Sequence, residues 1–174
     1  GFNGLIQIWT DMSLHGELAE EWSVNSNATE YIFKIRKGVS FHSGGEVTAS
    51  DVVWSMNRHI EAGSPSSIKS FFAFVEEWKA VDKYTVKLTL SSPDADMPYK
   101  LTRPQAKIVK KNTHNWWQAG TGPYVLDSFQ AGVRSIYSRN NNYWRDTGQW
   151  LDNIEITAIT DMNARLNALL SGSV

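Results

Sequence analysis

The chain of 174 residues contains no cysteine, carries nearly equal numbers of acidic and basic residues, and has no long apolar run. Without cysteine it can form neither a disulfide nor a thiolate metal site, and it has no cysteine nucleophile. Its formal charge of -1 gives no electrostatic footprint for nucleic acid or an anionic membrane surface. A membrane-spanning helix needs roughly 18 consecutive apolar residues, and no such run occurs. With 41% hydrophobic and 20% charged residues, the composition is that of a globular domain.

Motifs for metal binding, phosphate binding and nucleophilic catalysis are missing as well. Gly120-Thr121-Gly122 lacks the Lys-Ser/Thr pair of a phosphate loop, and Pro123 removes an N–H that a phosphate cradle would use, so a tight turn is the simpler interpretation. No G-x-S-x-G elbow occurs, and the pairs Glu20-Glu21 and Glu76-Glu77 are most simply solvated faces. The histidines are scattered without an i, i+3 or i+4 pair: His15, His42, His59 and His114. We therefore expect no enzyme activity, no metal and no cofactor.

The most strongly patterned stretch lies in the first third of the chain. Residues 31–36 alternate between apolar and mixed positions, which predicts a half-buried strand. Glycines on both sides of residues 39–42 predict a short partner strand and hence a hairpin. Thr48 followed by Asp51 predicts a capping box, with a carboxylate at the positive end of the helix dipole. An amphipathic helix over 51–62 should follow, since its apolar residues recur at close to a 3.6 period.

The rest of the chain predicts more strands than helices. Alternating or apolar runs, separated by turn residues, indicate strands within 1–9 and over 106–109, 124–129, 135–139 and 154–159. The aromatic-rich run 71–79 is predicted to form a hairpin with 85–90. Helical structure is predicted as one turn over 97–101 and as a helix after Asp161. No internal repeat is present. These elements predict a mixed α/β fold with α+β character.

Two separated blocks of residues resemble one protein family. The runs LAEEW, YIFKIRKGVSFHSGG and VTASDVVWSM, between residues 18 and 56, are similar to the signature of family 5 extracellular solute-binding proteins, the peptide- and nickel-type receptors of bacterial ABC importers. GTGPY at 120–124 and NNNYW at 140–144 match two further elements of that family, with Asn141 in place of a proline. Ser43 and Gly16 also depart from the family pattern, where Asp and Pro are commoner.

The resemblance implies a fold like the type II periplasmic binding proteins. On that basis residues 10–119 would form a small lateral subdomain, and 1–9 with 120–174 would form part of the central ligand-binding lobe, lobe I. In this family a second lobe follows and closes over the ligand. The resemblance therefore implies that the chain is an N-terminal fragment that lacks the second lobe.

The resemblance also implies a function. The chain would belong to a monomeric receptor that captures oligopeptides, or a similar small organic solute, and delivers them to an ABC permease. Its location would be the periplasm, or the outer surface of a Gram-positive cell through a lipid anchor. A receptor for a nickel chelate, haem or an oligosaccharide is an alternative within the same class. A hydrolase domain or a purely structural module are alternatives from other classes.

The same resemblance suggests where the solute binds. In the family the segment corresponding to 64–74 reaches into the cleft, which makes these residues candidates for ligand contact: Ser66, Ser67, Lys69, Phe71 and Phe72. Arg103, within Leu-Thr-Arg-Pro, resembles an arginine of the nickel-binding branch that helps to hold the carboxylate of a chelator, and a guanidinium suits that grip. The alternatives are that the loop residues only pack the loop and that Arg103 only caps a nearby carbonyl.

Overall fold

The computed structural model describes residues 1–113 and 116–174. Its strands are β1 (Ile6–Ile8), β2 (Leu14–Gly16), β3 (Ala19–Val24), β4 (Glu30–Ile35), β5 (Val75–Asp82), β6 (Thr85–Leu90), β7 (Tyr124–Gln130), β8 (Arg134–Arg139) and β9 (Asn153–Thr157). Its α-helices are α1 (Ala49–Ile60), α2 (Met97–Lys100) and α3 (Met162–Leu170), and two short 3₁₀ helices cover Lys69–Phe72 and Trp116–Gln118.

The largest sheet is antiparallel, with the strand order β3-β4-β6-β5. Alternate residues of β4 face the core, and Phe33 is completely buried. On β6 the facing positions Val86 and Leu88 are buried in the same way. Because successive side chains of a strand point to opposite sides, this alternation places one face of the sheet on the core. The predicted strand at 31–36 is confirmed as β4. The predicted hairpin of the run 71–79 with 85–90 is confirmed as the pair β5 and β6.

Helix α1 covers that core face and packs against β5 and β6. Val52 and Met56, one turn apart, are fully buried on it. The predicted capping box forms: the backbone N–H of Thr48 donates to the Asp51 carboxylate at 2.9 Å. The same carboxylate accepts the N–H of Lys111 at 2.9 Å, so one side chain ties the start of the helix to a distant loop.

A two-stranded ribbon, β1 with β2, lies beside this sheet. Just before β1, Gly4 makes an isolated antiparallel bridge with Lys107, and the N–H of Ile108 donates to the carbonyl of Asn3 at 3.0 Å. Residues 106–109 are therefore buried against the first residues of the chain, but they make a single bridge instead of the predicted strand.

The Gly-Thr-Gly sequence passes close to the start of the chain. A Cβ atom on Gly120 would lie 2.1 Å from the carbonyl oxygen of Gly1, and a Cβ on Gly122 would lie 2.6 Å from the Gly1 carbonyl carbon. Only glycine allows two backbones to approach so closely. This close packing accounts for both glycines.

The C-terminal third contains the sheet β7-β8-β9, also antiparallel, followed by α3. Asp161 caps α3 by accepting the N–H of Ala164 at 2.7 Å, and Gly172 takes the left-handed conformation after the helix. These strands and this helix match the predictions. The apolar stripe of α3 is exposed, with Leu169 at 65% and Leu170 at 76%.

The predicted hairpin of residues 39–42 with the strand at 31–36 was wrong. Residues 39–42 do not pair with β4; they fold back on themselves, since Val47 donates to the Val39 carbonyl at 2.8 Å and Phe41 to the Gly45 carbonyl at 3.0 Å. The place beside β4 is taken by β3, the strand that precedes it in the chain and that was not predicted from the sequence.

Within the described residues, no helix is both long and apolar enough to span a membrane.

Candidate functional site

Two neighbouring clefts contain most of the residues that the sequence suggested for ligand contact. The larger, which we call the Arg103 cleft, has a volume of about 670 Å³. Its lining residues are Ile8, Phe71, Asp96, Tyr99, Lys100, Thr102, Arg103 and Pro104. The smaller, the Arg58 cleft, has a volume of about 420 Å³. Its lining residues are Arg58, His59, Ser64, Pro65, Ser66, Ser67, Gln105 and Trp116.

Phe71 reaches the Arg103 cleft because the residues beside it are anchored. It lies in the 3₁₀ helix Lys69–Phe72, where Ile68 and Phe72 are each only 2% exposed. With those two side chains in the core, Phe71 is left half-buried at the wall of the cleft. Stacking on an apolar group or a planar cation is the chemistry that this position offers.

Arg103 stacks on that ring. Its guanidinium carbon lies 3.4 Å from the centroid of Phe71. The backbone on either side is held in turns: the Arg103 N–H donates to the Lys100 carbonyl at 3.4 Å, and the Arg103 carbonyl accepts the N–H of Ala106 at 2.9 Å. Within the part of the chain that the structure describes, the guanidinium makes no ion pair and no hydrogen bond. Its donors are therefore available to an acceptor in the cleft.

The other charged groups of this cleft differ in how they are paired. Lys100 forms an ion pair with Asp94, whose side chain is 8% exposed, so its charge is already matched. Asp96 is exposed at the cleft and has no ion-pair partner among the described residues. The cleft thus presents one unpaired guanidinium and one unpaired carboxylate. Such a pair of groups can bind a carboxylate and an ammonium group of one zwitterionic molecule.

In the Arg58 cleft, His59 orients Ser66. The Nδ1 atom of His59 lies 2.7 Å from the Ser66 hydroxyl, and the ring is 7% exposed. Burial, and to a lesser extent the charge of Arg58, lowers the pKa of His59 below its ordinary value of 6.5. The imidazole is therefore neutral at pH 7, and the serine hydroxyl is held at a fixed position.

The structure separates the remaining candidates. Ser66 and Ser67 line the Arg58 cleft, whereas Phe71 and Arg103 line the larger one. Phe72 packs in the core, and the Nζ atom of Lys69 donates to the carbonyl of Glu61 at 2.8 Å, at the end of α1. These positions give Phe72 and Lys69 structural contacts, and ligand contact by any of the six candidates stays a prediction.

Several residues of the two clefts were missed by sequence reasoning. Arg58 lies on α1 and Trp116 in a distant loop, and they meet only in the folded chain. Tyr99 and Asp96 come from the polar link around α2. The only sequence signals were an unpaired cation on a helix face and a Trp pair in a polar loop, and both are common on ordinary surfaces.

Metal binding finds no support in the described residues, where no group of three or more His, Asp or Glu side chains is placed to hold an ion. His42 is half-buried, and its Nε2–H donates to the Gly122 carbonyl at 2.9 Å. His114 lies outside the described residues.

Comparison with known proteins places the chain in one family. The sequence model described as bacterial extracellular solute-binding proteins, family 5 Middle, matches residues 13–174. Di/tripeptide-binding protein 1 of Pseudomonas aeruginosa is 27% identical over 184 residues, which cover 89% of this chain and 34% of that protein. The glutathione-binding protein GsiB of Pectobacterium atrosepticum is 26% identical over 178 residues, covering 98% of this chain and 35% of that protein.

Solved structures agree with the sequence matches. The periplasmic binding protein AgaA of A. tumefaciens R10, solved with agropinic acid, superposes with a TM-score of 0.92 at 30% identity, over 99% of this chain and 36% of its own. MoaA from the same source, solved with mannopinic acid, gives a TM-score of 0.90 at 25% identity, over 99% of this chain and 37% of its own. The predicted fold class is confirmed, and the chain spans about a third of the length of the relatives it matches. The chain belongs to family 5 of the bacterial extracellular solute-binding proteins.

Proposed function

We propose that this chain is part of a receptor that captures a small organic solute with a carboxylate group and delivers it to an ABC permease. The observation that carries the proposal is Arg103, stacked on Phe71 in an open cleft without a counter-ion among the described residues. A buried or half-buried guanidinium without a carboxylate is costly, and a bound carboxylate removes that cost. No bond is made or broken in this function.

A peptide fits the charges of the Arg103 cleft. Its terminal carboxylate would bind the Arg103 guanidinium, and its ammonium group would bind the Asp96 carboxylate, while Phe71 and Tyr99 would contact apolar parts of the chain. The relatives named for di/tripeptides and glutathione support peptides as the solute class. The relatives solved with agropinic and mannopinic acid support organic acids as the second candidate, since the same guanidinium would hold them.

In this proposal the solute is enclosed by two lobes. Residues 10–119, which line both clefts apart from Ile8, would form the lateral subdomain, and 1–9 with 120–174 would form part of the central ligand-binding lobe. A second lobe would close over the solute, and the closed form would be the one recognised by the permease. The receptor would work outside the cytoplasmic membrane, as a periplasmic or lipid-anchored monomer.

The test is binding to paired ligands that differ in one charge. Thermal-shift screening of the full-length protein should find a stabilising peptide or organic acid among peptides, organic acids, oligosaccharides, haem and nickel chelates. Calorimetry should then show at least about tenfold weaker binding when the carboxylate of that ligand is amidated, which corresponds to about 1.4 kcal/mol.

The Arg103→Gln variant should bind the acid and the amide equally, whereas Arg165→Gln, a change of an exposed arginine on α3, should keep the preference. A ligand that binds equally well with and without its carboxylate would overturn the proposal. Stabilisation only by a nickel chelate, haem or a neutral oligosaccharide would support the corresponding alternative instead.

A further inference from the structure

Arg58 lies beside a pair of stacked indole rings. Its guanidinium carbon lies 5.4 Å from the ring of Trp54, one turn earlier on α1, and 5.0 Å from the ring of Trp116. The two ring centroids are themselves 6.2 Å apart, so the guanidinium packs against the side of the pair. The Nε–H of Arg58 donates to the Ser55 carbonyl at 3.2 Å. These contacts hold the guanidinium in place beside the two rings.

The charge of Arg58 has no counter-ion in the part of the chain that the structure describes. No carboxylate there lies within ion-pair distance of it, and its two terminal amino groups make no hydrogen bond to a described residue. Burial lowers the pKa of Arg58, which is the expected response of a cation that has lost water without gaining an anion. Cation–π contact with the two indole rings offsets only part of the free energy that this loss of water costs.

The surroundings of Arg58 add further polar groups. The Arg58 cleft also contains the hydroxyls of Ser66 and Ser67 and the amide of Gln105. Ser66 is fixed by His59, and Ser67 is exposed with no hydrogen-bond partner among the described residues. A fixed guanidinium next to serine hydroxyls is the combination that proteins use to hold a carboxylate.

The Arg58 cleft adjoins the Arg103 cleft along two segments. Pro104 lines the larger cleft and the next residue, Gln105, lines the smaller one. On the opposite segment, Ser67 lines the smaller cleft and Phe71 the larger. Along both segments, therefore, the two clefts are lined by residues that lie next to one another or a few positions apart in the chain.

We infer that Arg58 forms a second anion-binding subsite, and that the solute of this receptor carries an additional acidic group besides the carboxylate held by Arg103. The inference rests on the proposed function, because the Arg103 cleft defines where the first carboxylate lies. For a peptide solute, the second group is an acidic side chain. The subsite would select acidic peptides over their neutral amide counterparts, since only a charged group matches the Arg58 guanidinium.

The experiment compares dipeptides that differ only in one side-chain charge. Ala-Glu and Glu-Ala are titrated at millimolar concentration into the ¹⁵N-labelled full-length protein, with Ala-Gln and Gln-Ala as matched neutral probes. The Nε–H signals of Arg58 and Arg103 and the indole N–H signals of Trp54 and Trp116 are followed by NMR. We expect one acidic peptide to shift both arginine signals and to bind about tenfold more tightly than its neutral counterpart.

Three variants make the result specific. Arg58→Gln should reduce the ratio of the affinities for the acidic peptide and its neutral counterpart from about tenfold to about one. Arg58→Lys keeps the positive charge beside Trp54 and Trp116 and should retain part of the preference. A thermal melt of each variant shows whether it is folded. Arg165→Gln should change nothing, which separates the subsite from a general effect of charge.

The outcomes are distinguishable. If the Arg103 signal shifts while the Arg58 signal does not, and acidic and neutral peptides bind equally, the second subsite is refuted and the proposed function stands. If the neutral and acidic peptides both leave the Arg103 signal unmoved, the Arg103 cleft does not bind peptides and both proposals are refuted for that solute class.

Discussion

At the scale of single residues, the contact between Arg103 and Phe71 determines which solute chemistry the larger cleft can accept. The guanidinium carbon is 3.4 Å from the ring centroid, which places the cation over the aromatic face at the wall of the cleft. A contact this close depends on shape, since it suits a planar cation better than a tetrahedral ammonium.

Replacing Arg103 with lysine tests that dependence. An ammonium keeps the charge but has neither the planar stack nor the two parallel donors, so we expect about tenfold weaker binding of a carboxylate ligand. Calorimetry on the wild type and on Arg103→Lys measures the ratio, and Arg165→Lys is the matched control. Equal affinity of Arg103→Lys and the wild type would show that charge alone is recognised.

A half-buried and a buried histidine predict how stability changes with pH. Burial lowers the pKa of His42 and of His59 below 6.5. The unfolded chain therefore binds more protons than the folded chain at pH values between each folded pKa and 6.5, and stability must rise with pH across that window. Protonation of His42 at lower pH would add a proton to its Nδ1 atom, which is buried and has no hydrogen-bond partner among the described residues.

We expect the free energy of unfolding to fall as the pH is lowered from 7 to 5, measured by urea denaturation at each pH. Arg58 lies next to His59 and adds to the same effect. The His59→Gln variant should show a shallower dependence on pH than the wild type. An unfolding free energy that is constant over this range would contradict the assignment of neutral buried imidazoles.

At the scale of elements, Asp51 stabilises more than the first turn of α1. Its carboxylate accepts the N–H groups of Thr48 and Lys111, each at 2.9 Å, and it is 7% exposed. One side chain therefore caps the helix and holds the loop that precedes the Gly-Thr-Gly turn. The sequence indicated the cap, and the second role required the folded chain.

The Asp51→Ala variant should lose about 1–3 kcal/mol of unfolding free energy, because the helix loses its cap and two partly buried backbone N–H groups lose their acceptor. Urea denaturation measures the loss, and Glu61→Ala, at an exposed position just after the same helix, is the control. If both variants lost the same small amount, the carboxylate would contribute no more than an ordinary surface residue.

At the scale of the whole molecule, Asn3 joins the two regions that carry the family motifs. Its side chain is 3% exposed; it donates to Glu17 at 2.6 Å and accepts from the Thr121 hydroxyl at 2.9 Å and from the Trp144 indole at 3.4 Å. Thr121 belongs to the Gly-Thr-Gly turn and Trp144 to the NNNYW motif. The motif residues that lie far apart in the sequence thus meet at one amide.

Asn3→Ala should lower the free energy of unfolding by about 2–4 kcal/mol, since it removes several buried hydrogen bonds and leaves Glu17 with fewer partners. Asn163→Ala, at an exposed site on α3, should change it by less than about 0.5 kcal/mol. Equal effects of the two changes in thermal and urea unfolding would show that the network at Asn3 is not important for stability.

The burial of apolar side chains differs between the large sheet and the C-terminal helix α3. Leu88 on β6 is completely buried, whereas Leu169 on α3 is 65% exposed. We expect Leu88→Ala to cost about 2–5 kcal/mol in urea unfolding and Leu169→Ala less than about 1 kcal/mol. A large cost of Leu169→Ala would show that the stripe on α3 is covered in solution, for example by a second copy of the chain, and sedimentation would detect such a dimer.

The sequence by itself determined the local elements and the family. Alternation identified the strands β4 and β6, the Thr48–Asp51 pair identified the start of α1, and the two motif blocks identified the family, because each of these signals lies within a few consecutive residues. It also identified Phe71 and Arg103 as separate candidates for ligand contact.

Only the tertiary structure decided which of these parts meet. It replaced the expected hairpin at 39–42 by the pairing of β3 with β4, placed Phe72 in the core, and brought Arg58 and Trp116 together beside Ser66. The physical reason is that strand order and cleft walls depend on which surfaces bury each other best, and the alternation within one segment does not determine which other segment it packs against.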